Sequence, residues 1–206
     1  EKYGKELLGA AVYREGYRRF PLLIKILDAS DVLSVQVHPG DAYANAHENG
    51  EPGKTEMWYV IDAEPGAKLV HGVRRGVSRG DFRDCLEQGR LEDCLTELEV
   101  KPGDVLYIPA GLVHAIGAGI LICEIQQNSD TTYRVYDWNR VDASGKSREL
   151  HRENALDVIR FEGPRQEGGL PGLTLQEEGG RRILYVACDY FAMEKLILEG
   201  TMGLGL

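Results

Sequence analysis

Short stretches of alternating hydrophobic and polar residues run along most of the chain and predict β-strands. In one of them, Ser34, Gln36 and His38 fall on one strand face, while Val35 and Val37 fall on the other. Further strands, two of them in the last range, are predicted at 20–29, 56–63, 67–73, 104–110, 119–127, 132–138 and 181–200. The first of these is expected to be a buried apolar run. Together the strands favour a mainly β fold over a parallel α/β sheet.

Helical spacing replaces the alternation in three parts of the chain. Residues 1–19 are predicted to form an exposed helix, and residues 150–160 a second, shorter one. Between residues 78 and 98, apolar residues recur at helical intervals, which predicts two short helices inserted between strands. The chain is therefore expected to be a sandwich or jelly roll with a small helical insertion.

A Gly/Pro-rich stretch at 163–172 is predicted to be a linker. It divides a first domain, 1–162, from residues 173–206. The second part holds apolar strands that would leave an unpaired edge if nothing followed them, and proteins avoid such edges. We therefore interpret 173–206 as the beginning of a second, incomplete jelly roll.

Composition narrows the classes of partner. The 206 residues are 43% hydrophobic and 28% charged, as in an ordinary globular protein, and the net charge of −9 argues against nucleic acid as a partner. No apolar run approaches the roughly 20 residues that span a bilayer, so no membrane association is expected. The four cysteines, which show no CxxC pairing, are expected to be reduced thiols of a cytoplasmic protein: Cys85, Cys94, Cys123 and Cys188.

Four polar residues in three segments suggest a metal site. Gln36 and His38 point the same way from one strand, and Glu56 begins another. His114 follows a predicted strand–turn–strand that would present it from the far end. Two imidazoles, a carboxylate and an amide oxygen suit a borderline divalent ion, above all Zn²⁺, at one ion per chain. The alternative is that these are unrelated polar residues in a β-rich domain. This explanation suits a single His–Gln pair better than the combined set of four residues.

The same segments resemble a known family. SVQVHP (34–39), GKTEMWYVI (53–61), GDVLYIPAGLVHAI (103–116) and ICEIQQNSDTTYRVYDWNR (122–140) together are similar to the type I mannose-6-phosphate isomerases (phosphomannose isomerases), in their short bacterial form. These are cupins, so the resemblance implies a cupin jelly-roll barrel. It also implies that the four residues above ligate Zn²⁺, and it adds three active-site residues, Arg134, Lys54 and Glu124.

The implied activity is a zinc-dependent aldose–ketose isomerisation that interconverts mannose 6-phosphate and fructose 6-phosphate through an enediol. Glu124 is in phase with Ile120 and Ile122, which predicts that it faces the barrel lumen. Our hypothesis is that Glu124 or Lys54 takes part in proton transfer and that Arg134 holds charge on the substrate or enediolate.

Other interpretations stay open at this point. Arg134 could instead form a structural salt bridge with Asp130 or Asp137. The chain could be a non-catalytic metal-binding cupin that binds a sugar phosphate, or an Fe²⁺ oxygenase, although two histidines fit the latter poorly. The expected partner is a small-molecule sugar phosphate, and the expected state is a monomer or homodimer.

Overall fold

The structure is a computed structural model that describes residues 3–14, 16, 20–163 and 166–203. Its helices are α1 (Gly4–Arg14), α2 (Asp41–His47), α3 (Arg79–Glu87) and α4 (Arg152–Val158), with a 3₁₀ turn at Leu91–Cys94. Its strands are β1 (Leu22–Ala29), β2 (Val35–Val37), β3 (Glu56–Ala63), β4 (Lys68–Val73), β5 (Leu95–Glu99), β6 (Val105–Ile108), β7 (His114–Ala115), β8 (Ile120–Gln127), β9 (Tyr133–Tyr136), β10 (Leu173–Glu177), β11 (Gly180–Ala187) and β12 (Ala192–Leu198). The predicted mainly β fold is confirmed.

Two large sheets face each other and enclose the space that we call the lumen. One has the strand order β1-β8-β3-β6 and the other β5-β4-β7-β2-β9, and hydrogen bonds do not join them into a closed ring. Alternating residues of β8 are buried in the lumen, first Ile120 and Ile122 and then Glu124 and Gln126. The lumen therefore has an apolar end, built around Trp58, and a polar end.

The outer faces of the two sheets are covered by different elements. Helices α3 and α4 pack on the five-stranded sheet, where Phe82 and Leu156 share one hydrophobic cluster with the buried outward residues of β2. The three-stranded sheet β10-β11-β12 covers part of the four-stranded sheet through Val186 and Phe191. These layers leave the lumen as the place where buried polar groups collect.

The expectation of a buried apolar run at 20–29 is wrong, because Ala29 is the one buried residue in this range. β1 is an edge strand, and Ile24 and Ile26 are 58% and 62% exposed on its outer face. The inner face carries Lys25 and Leu27, both half-buried. An edge strand that no element covers exposes whichever residues alternate outward, however apolar they are.

The insertion at 78–98 contains less helix than its spacing predicts. α3 begins with a capping box in which Ser78 and Asp81 satisfy each other's backbone donors. The second predicted helix is a single 3₁₀ turn, and Leu95–Glu99 is strand β5 instead. β5 pairs with β4, so cross-strand pairing overrides the helical spacing of Leu95 and Leu98.

The remaining elements follow the predicted pattern closely. The helix predicted at 1–19 is described from Gly4 to Arg14, with a break at Gly9, while parts of its range lie outside the described residues. Both strands predicted at 181–200 are present, and β10 joins them.

No described helix is long and apolar enough to cross a membrane. All four cysteines are unpaired, and burial raises the pKa of the Cys94 thiol to about 12.

Candidate metal centre

The polar end of the lumen brings together residues from four strands. β2 lies between β7 and β9, so Gln36 is the Cα partner of both His114 and Arg134. His38 follows β2 two residues later on the same face, and it is 1% exposed. Glu56 opens β3 on the opposite sheet and is fully buried. The two sheets thus converge on one point from opposite sides.

His38, Glu56 and His114 form a compact cluster there. The Nε2 atom of His38 lies 3.2 Å from Glu56 Oε1, and Nε2 of His114 lies 3.8 Å from Glu56 Oε2. The ligand atoms of all three residues fall within 4.8 Å of one another. Gln36, half-buried beside them, completes the predicted set by its place in the strand register.

The other nitrogen of each imidazole fixes the orientation of its ring. Nδ1 of His38 lies 3.0 Å from the carbonyl oxygen of Thr131, and Nδ1 of His114 lies 2.8 Å from that of Leu112. A carbonyl oxygen can only accept a hydrogen bond, so each Nδ1 carries the proton and donates, and each Nε2 keeps a free lone pair. Most histidines that bind metals are oriented in this way, by a hydrogen bond from the ring nitrogen that does not face the ion.

The atoms that face one another have no hydrogen-bond partner. Nε2 of His38, Nε2 of His114 and both carboxylate oxygens of Glu56 are buried without one. Leaving four buried polar atoms without a hydrogen bond is costly, and a shared cation would satisfy all of them. The donor set therefore fits a divalent ion, and two imidazoles with a carboxylate are typical of zinc sites.

Electrostatics favours the protonation state that a metal requires. Burial would raise the pKa of Glu56, but His38, Lys54 and His114 hold it well below its ordinary value. Burial and the neighbouring His38 lower the pKa of His114 to about 3. An ionised carboxylate therefore faces a neutral imidazole, which are the forms that bind metal ions.

The turn that presents His114 depends on a glycine. Gly111 has φ +87, a conformation that L side chains rarely adopt, and an added Cβ would lie 2.8 Å from the carbonyl oxygen of Val158. Its amide donates to the carbonyl oxygen of His38, so the same turn links the two ligand segments. Glycine is therefore required both for the backbone conformation and for the close approach.

Lys54 and Glu124, predicted to lie near the metal, are both buried in the lumen. Nζ of Lys54 lies 3.0 Å from Glu56 Oε1, and its side chain is 8% exposed. Glu124 accepts hydrogen bonds on both oxygens, from Nζ of Lys25 at 2.9 Å and from the indole nitrogen of Trp58 at 3.1 Å. The predicted inward orientation of Glu124 is the one observed.

Arg134 lies beside Gln36 on β9 and is half-buried. Its guanidinium donates to Ser34 Oγ at 3.3 Å and to the carbonyl oxygen of Glu149 at 3.0 Å. Within the described residues, no carboxylate lies at ion-pair distance from it. The alternative salt bridge with Asp130 or Asp137 is absent there, and Asp137 pairs instead with two other arginines, Arg140 and Arg148.

Comparisons with known proteins identify the family. A family model for the catalytic domain of type I phosphomannose isomerase matches residues 3–62. Mannose-6-phosphate isomerase ManA of Bacillus subtilis is 47% identical over 189 residues, and the mannose-6-phosphate isomerase of Streptococcus mutans is 45% identical over 183. The chain belongs to the type I phosphomannose isomerases. The resemblance inferred from the sequence is confirmed.

A solved structure shares the fold of this family member. The crystal structure of the mannose 6-phosphate isomerase from Bacillus subtilis matches 96% of this chain at a TM-score of 0.85 and 37% identity. This agreement confirms the cupin jelly-roll class. The chain spans 58% and 56% of the two curated relatives and 60% of the solved chain.

Sequence reasoning missed three contributors to the centre. The carbonyl oxygens of Thr131 and Leu112 orient the ligand imidazoles, and no side-chain pattern indicates a backbone contact of this kind. Lys25 also bonds Gln126 Oε1 at 2.7 Å, in addition to Glu124. One signal could have indicated Lys25. It is two positions from Leu27 in an apolar strand, so the alternation assigns both residues to the same strand face.

Proposed function

We propose that this chain carries the metal centre of a zinc-dependent mannose-6-phosphate isomerase, which interconverts mannose 6-phosphate and fructose 6-phosphate. The observation that carries the proposal is the buried cluster of His38, Glu56 and His114, whose facing atoms are unpaired in a chain of this family. The relatives named mannose-6-phosphate isomerase support a sugar phosphate as the proposed substrate.

Zn²⁺ would be held by four residues at the polar end of the lumen, one ion per chain: Gln36, His38, Glu56 and His114. When bound, the ion supplies a Lewis acid that stabilises oxyanion character on the sugar and orients its hydroxyls. The ligand atoms are then committed to the ion. The proton that moves between C1 and C2 must therefore be carried by another group.

Glu124 is our candidate for that proton transfer. Its carboxylate is 4% exposed and held by Lys25 and Trp58, which leaves each oxygen one further lone pair for the substrate. A fixed carboxylate beside a cation is the kind of group that enzymes use as a general base. Lys54 is the second candidate, and as a cation it would first donate a proton or hold the charge of the enediolate.

Arg134 is our candidate for holding anionic charge on the substrate. Its hydrogen bonds go to a hydroxyl and a carbonyl oxygen, which leave its positive charge without a carboxylate among the described residues. Such a guanidinium binds phosphate or enediolate oxygens with directional hydrogen bonds. Its Cα is paired with that of Gln36, a proposed metal ligand, in the register of β2 and β9.

Conversion followed by NMR in D₂O tests the proposal. An enediol route exchanges the transferred proton with solvent, so fructose 6-phosphate should form and deuterium should enter at the reacting carbons. Glu124→Gln should slow the conversion about 100-fold. Full turnover of this variant would remove Glu124 from the role. Binding of mannose 6-phosphate without conversion would favour the alternative, a non-catalytic cupin that binds a sugar phosphate.

We also propose a cytoplasmic location, because all four cysteines are unpaired. The proposed partner is the small sugar phosphate, with no role for nucleic acid or a membrane. A monomer or homodimer is the proposed state of assembly. Residues 173–206 are proposed to open a second jelly roll, since β10–β12 form a separate sheet.

A further inference from the structure

Asp41, at the start of α2, connects three parts of the molecule. Its Oδ1 accepts hydrogen bonds from the amide of Gly53 at 2.8 Å and from the side-chain amide of Gln127 at 3.0 Å. Its Oδ2 accepts from the hydroxyl of Tyr190 at 2.7 Å. One carboxylate thus joins the loop before β3, the end of β8 and the turn between β11 and β12.

The first two contacts fix the loop that carries Lys54 and Glu56. Gln127 is 7% exposed, and its side-chain oxygen accepts from the backbone amide of Thr55 at 2.8 Å. The backbone amide of Gln127 donates to the Thr55 carbonyl oxygen at 3.1 Å. Thr55 lies between the two lumenal residues in sequence. Asp41 therefore holds Gly53, and Gln127 holds Thr55, which are the two residues on either side of Lys54.

The loop also lies directly against the backbone that follows His38. An added Cβ at Gly53 would lie 2.5 Å from the amide nitrogen of Asp41, and the amide of Lys54 donates to the Pro39 carbonyl oxygen at 3.0 Å. Positions 39–41 thus link the segment that follows His38 to the segment that leads into Glu56. A shift of Asp41 would move both segments together.

The third contact reaches the C-terminal sheet. Tyr190 lies in the turn between β11 and β12, and Phe191 beside it is buried against the outer face of the four-stranded sheet. Burial would raise the pKa of Asp41, but the hydrogen bonds from Tyr190, Gln127 and Gly53 hold it below its ordinary value. The carboxylate is thereby kept in the ionised form that accepts all three bonds.

We propose that Asp41 is a positioning residue that couples the seating of the C-terminal sheet to the geometry of the metal ligands. The coupling runs from the Tyr190 hydroxyl through the Asp41 carboxylate to Gly53 and Thr55, and so to Glu56. This inference rests on the proposed metal centre, although it does not require that the centre be catalytic. It gives the sheet β10–β12, which carries none of the candidate ligands, a role in their geometry.

Metal affinity and the spectrum of a bound ion test this coupling without relying on turnover. Zinc affinity is measured by competition with a chromogenic chelator, and ligand geometry by the visible absorption bands of the Co²⁺-substituted protein. Substituting residues that orient metal ligands through hydrogen bonds typically weakens metal binding by about 10–100-fold. We expect Asp41→Ala to lose about tenfold in zinc affinity at least, and Asp41→Asn, which keeps one acceptor oxygen, to lose less.

Tyr190→Phe is the decisive variant, because it removes only the hydroxyl that donates to Asp41 Oδ2 and keeps the aromatic ring. We expect a severalfold weaker zinc affinity and shifted Co²⁺ bands. In the Asp41→Ala background the same change should add nothing, since both act through one contact. The matched control is Tyr59→Phe, which removes the hydroxyl that accepts from Lys195 Nζ at 2.9 Å in the same interface. This control should leave both readouts unchanged.

Unchanged zinc affinity and Co²⁺ bands in Tyr190→Phe would overturn the coupling, even if the thermal stability falls. Equal effects of Tyr190→Phe and Tyr59→Phe would overturn it too, since they would indicate a general loosening of the interface. The coupling stands if the metal readouts change as expected in a chain that fails to convert mannose 6-phosphate. In that case the proposed activity fails while the positioning role is retained.

Discussion

Lys54→Met provides the sharpest test of the charge balance in the lumen. Methionine keeps most of the side-chain volume of lysine but removes the ammonium group that lies 3.0 Å from Glu56 Oε1. Glu56 is fully buried and its carboxylate makes no hydrogen bond in the described structure. In the metal-free protein, Lys54 is therefore the closest compensating cation.

The magnitude follows from the geometry of the pair. Two unit charges at 3.0 Å attract by about 5–6 kcal/mol at an effective dielectric constant of about 20. Burying methionine costs less free energy than burying lysine, and this difference offsets part of the lost attraction. Removing one partner of a buried pair costs about 3–5 kcal/mol. We expect metal-free Lys54→Met to lose about 3 kcal/mol of unfolding free energy.

Zinc should reverse much of this loss, because the ion supplies positive charge to Glu56 and repels the Lys54 ammonium. We expect the stability difference to fall to about 1 kcal/mol in the zinc-loaded proteins. The remaining 2 kcal/mol or so appears as tighter zinc binding by the variant, about 30-fold at 1.4 kcal/mol per tenfold. Urea unfolding with and without zinc, together with chelator competition, measures both sides of this cycle.

The matched control is Lys68→Met, which removes the cation of an exposed pair with Glu97 at 3.2 Å. Exposed pairs contribute little, so this variant should match the wild type in every measurement. The reasoning is refuted if metal-free Lys54→Met is as stable as the wild type. Weaker zinc binding by Lys54→Met would refute it equally, because Lys54 would then support the ion instead of competing with it.

Three further substitutions test other parts of the account. Trp58→Phe removes the donor to Glu124 and should lower kcat roughly tenfold in steady-state assays, with KM little changed; an unchanged kcat would contradict the proposed role of that carboxylate. The arginines beside Asp137 hold its pKa below the ordinary value, so its ionised form stabilises the fold above that value, and this contribution is lost as the pH falls through the folded pKa. Asp137→Asn should therefore cost about 1–2 kcal/mol in urea unfolding near pH 7 and progressively less as the pH falls through the folded pKa, whereas an equal cost at every pH would be inconsistent with this origin. Gly111→Ala should lower the thermal midpoint and the zinc affinity, while Gly103→Ala, with a similar φ but open space around it, should affect stability alone.

Local signals in the sequence predict part of the geometry of the candidate centre. The alternation around Gln36 and His38 assigns their common face, and the turn residues before His114 indicate how it is presented. These features depend on neighbours in the chain. The convergence of His38, Glu56 and His114 could not be worked out from alternation alone, because it depends on which strands pair across the 76 positions between His38 and His114. Here the family resemblance supplied the missing information.

Where prediction failed, tertiary context decided the outcome. Leu95 and Leu98 have helical spacing, but pairing with β4 makes their segment a strand. Ile24 and Ile26 are as apolar as core residues, yet they lie on the uncovered face of an edge strand. The contacts of Asp41 with Tyr190 and Gly53 join positions that no local pattern relates. Each of these features is set by the neighbour that a segment meets after folding.

The central claim is that the cluster of His38, Glu56 and His114 binds the ion on which isomerisation depends. Its most direct test is a coupled assay of fructose 6-phosphate formation while zinc is titrated into chelator-treated protein. The account predicts that turnover is absent at the start, rises with added zinc and saturates at one ion per chain, and that His114→Ala neither binds the ion nor recovers. Full turnover without metal, or one bound zinc per chain without turnover, would contradict it.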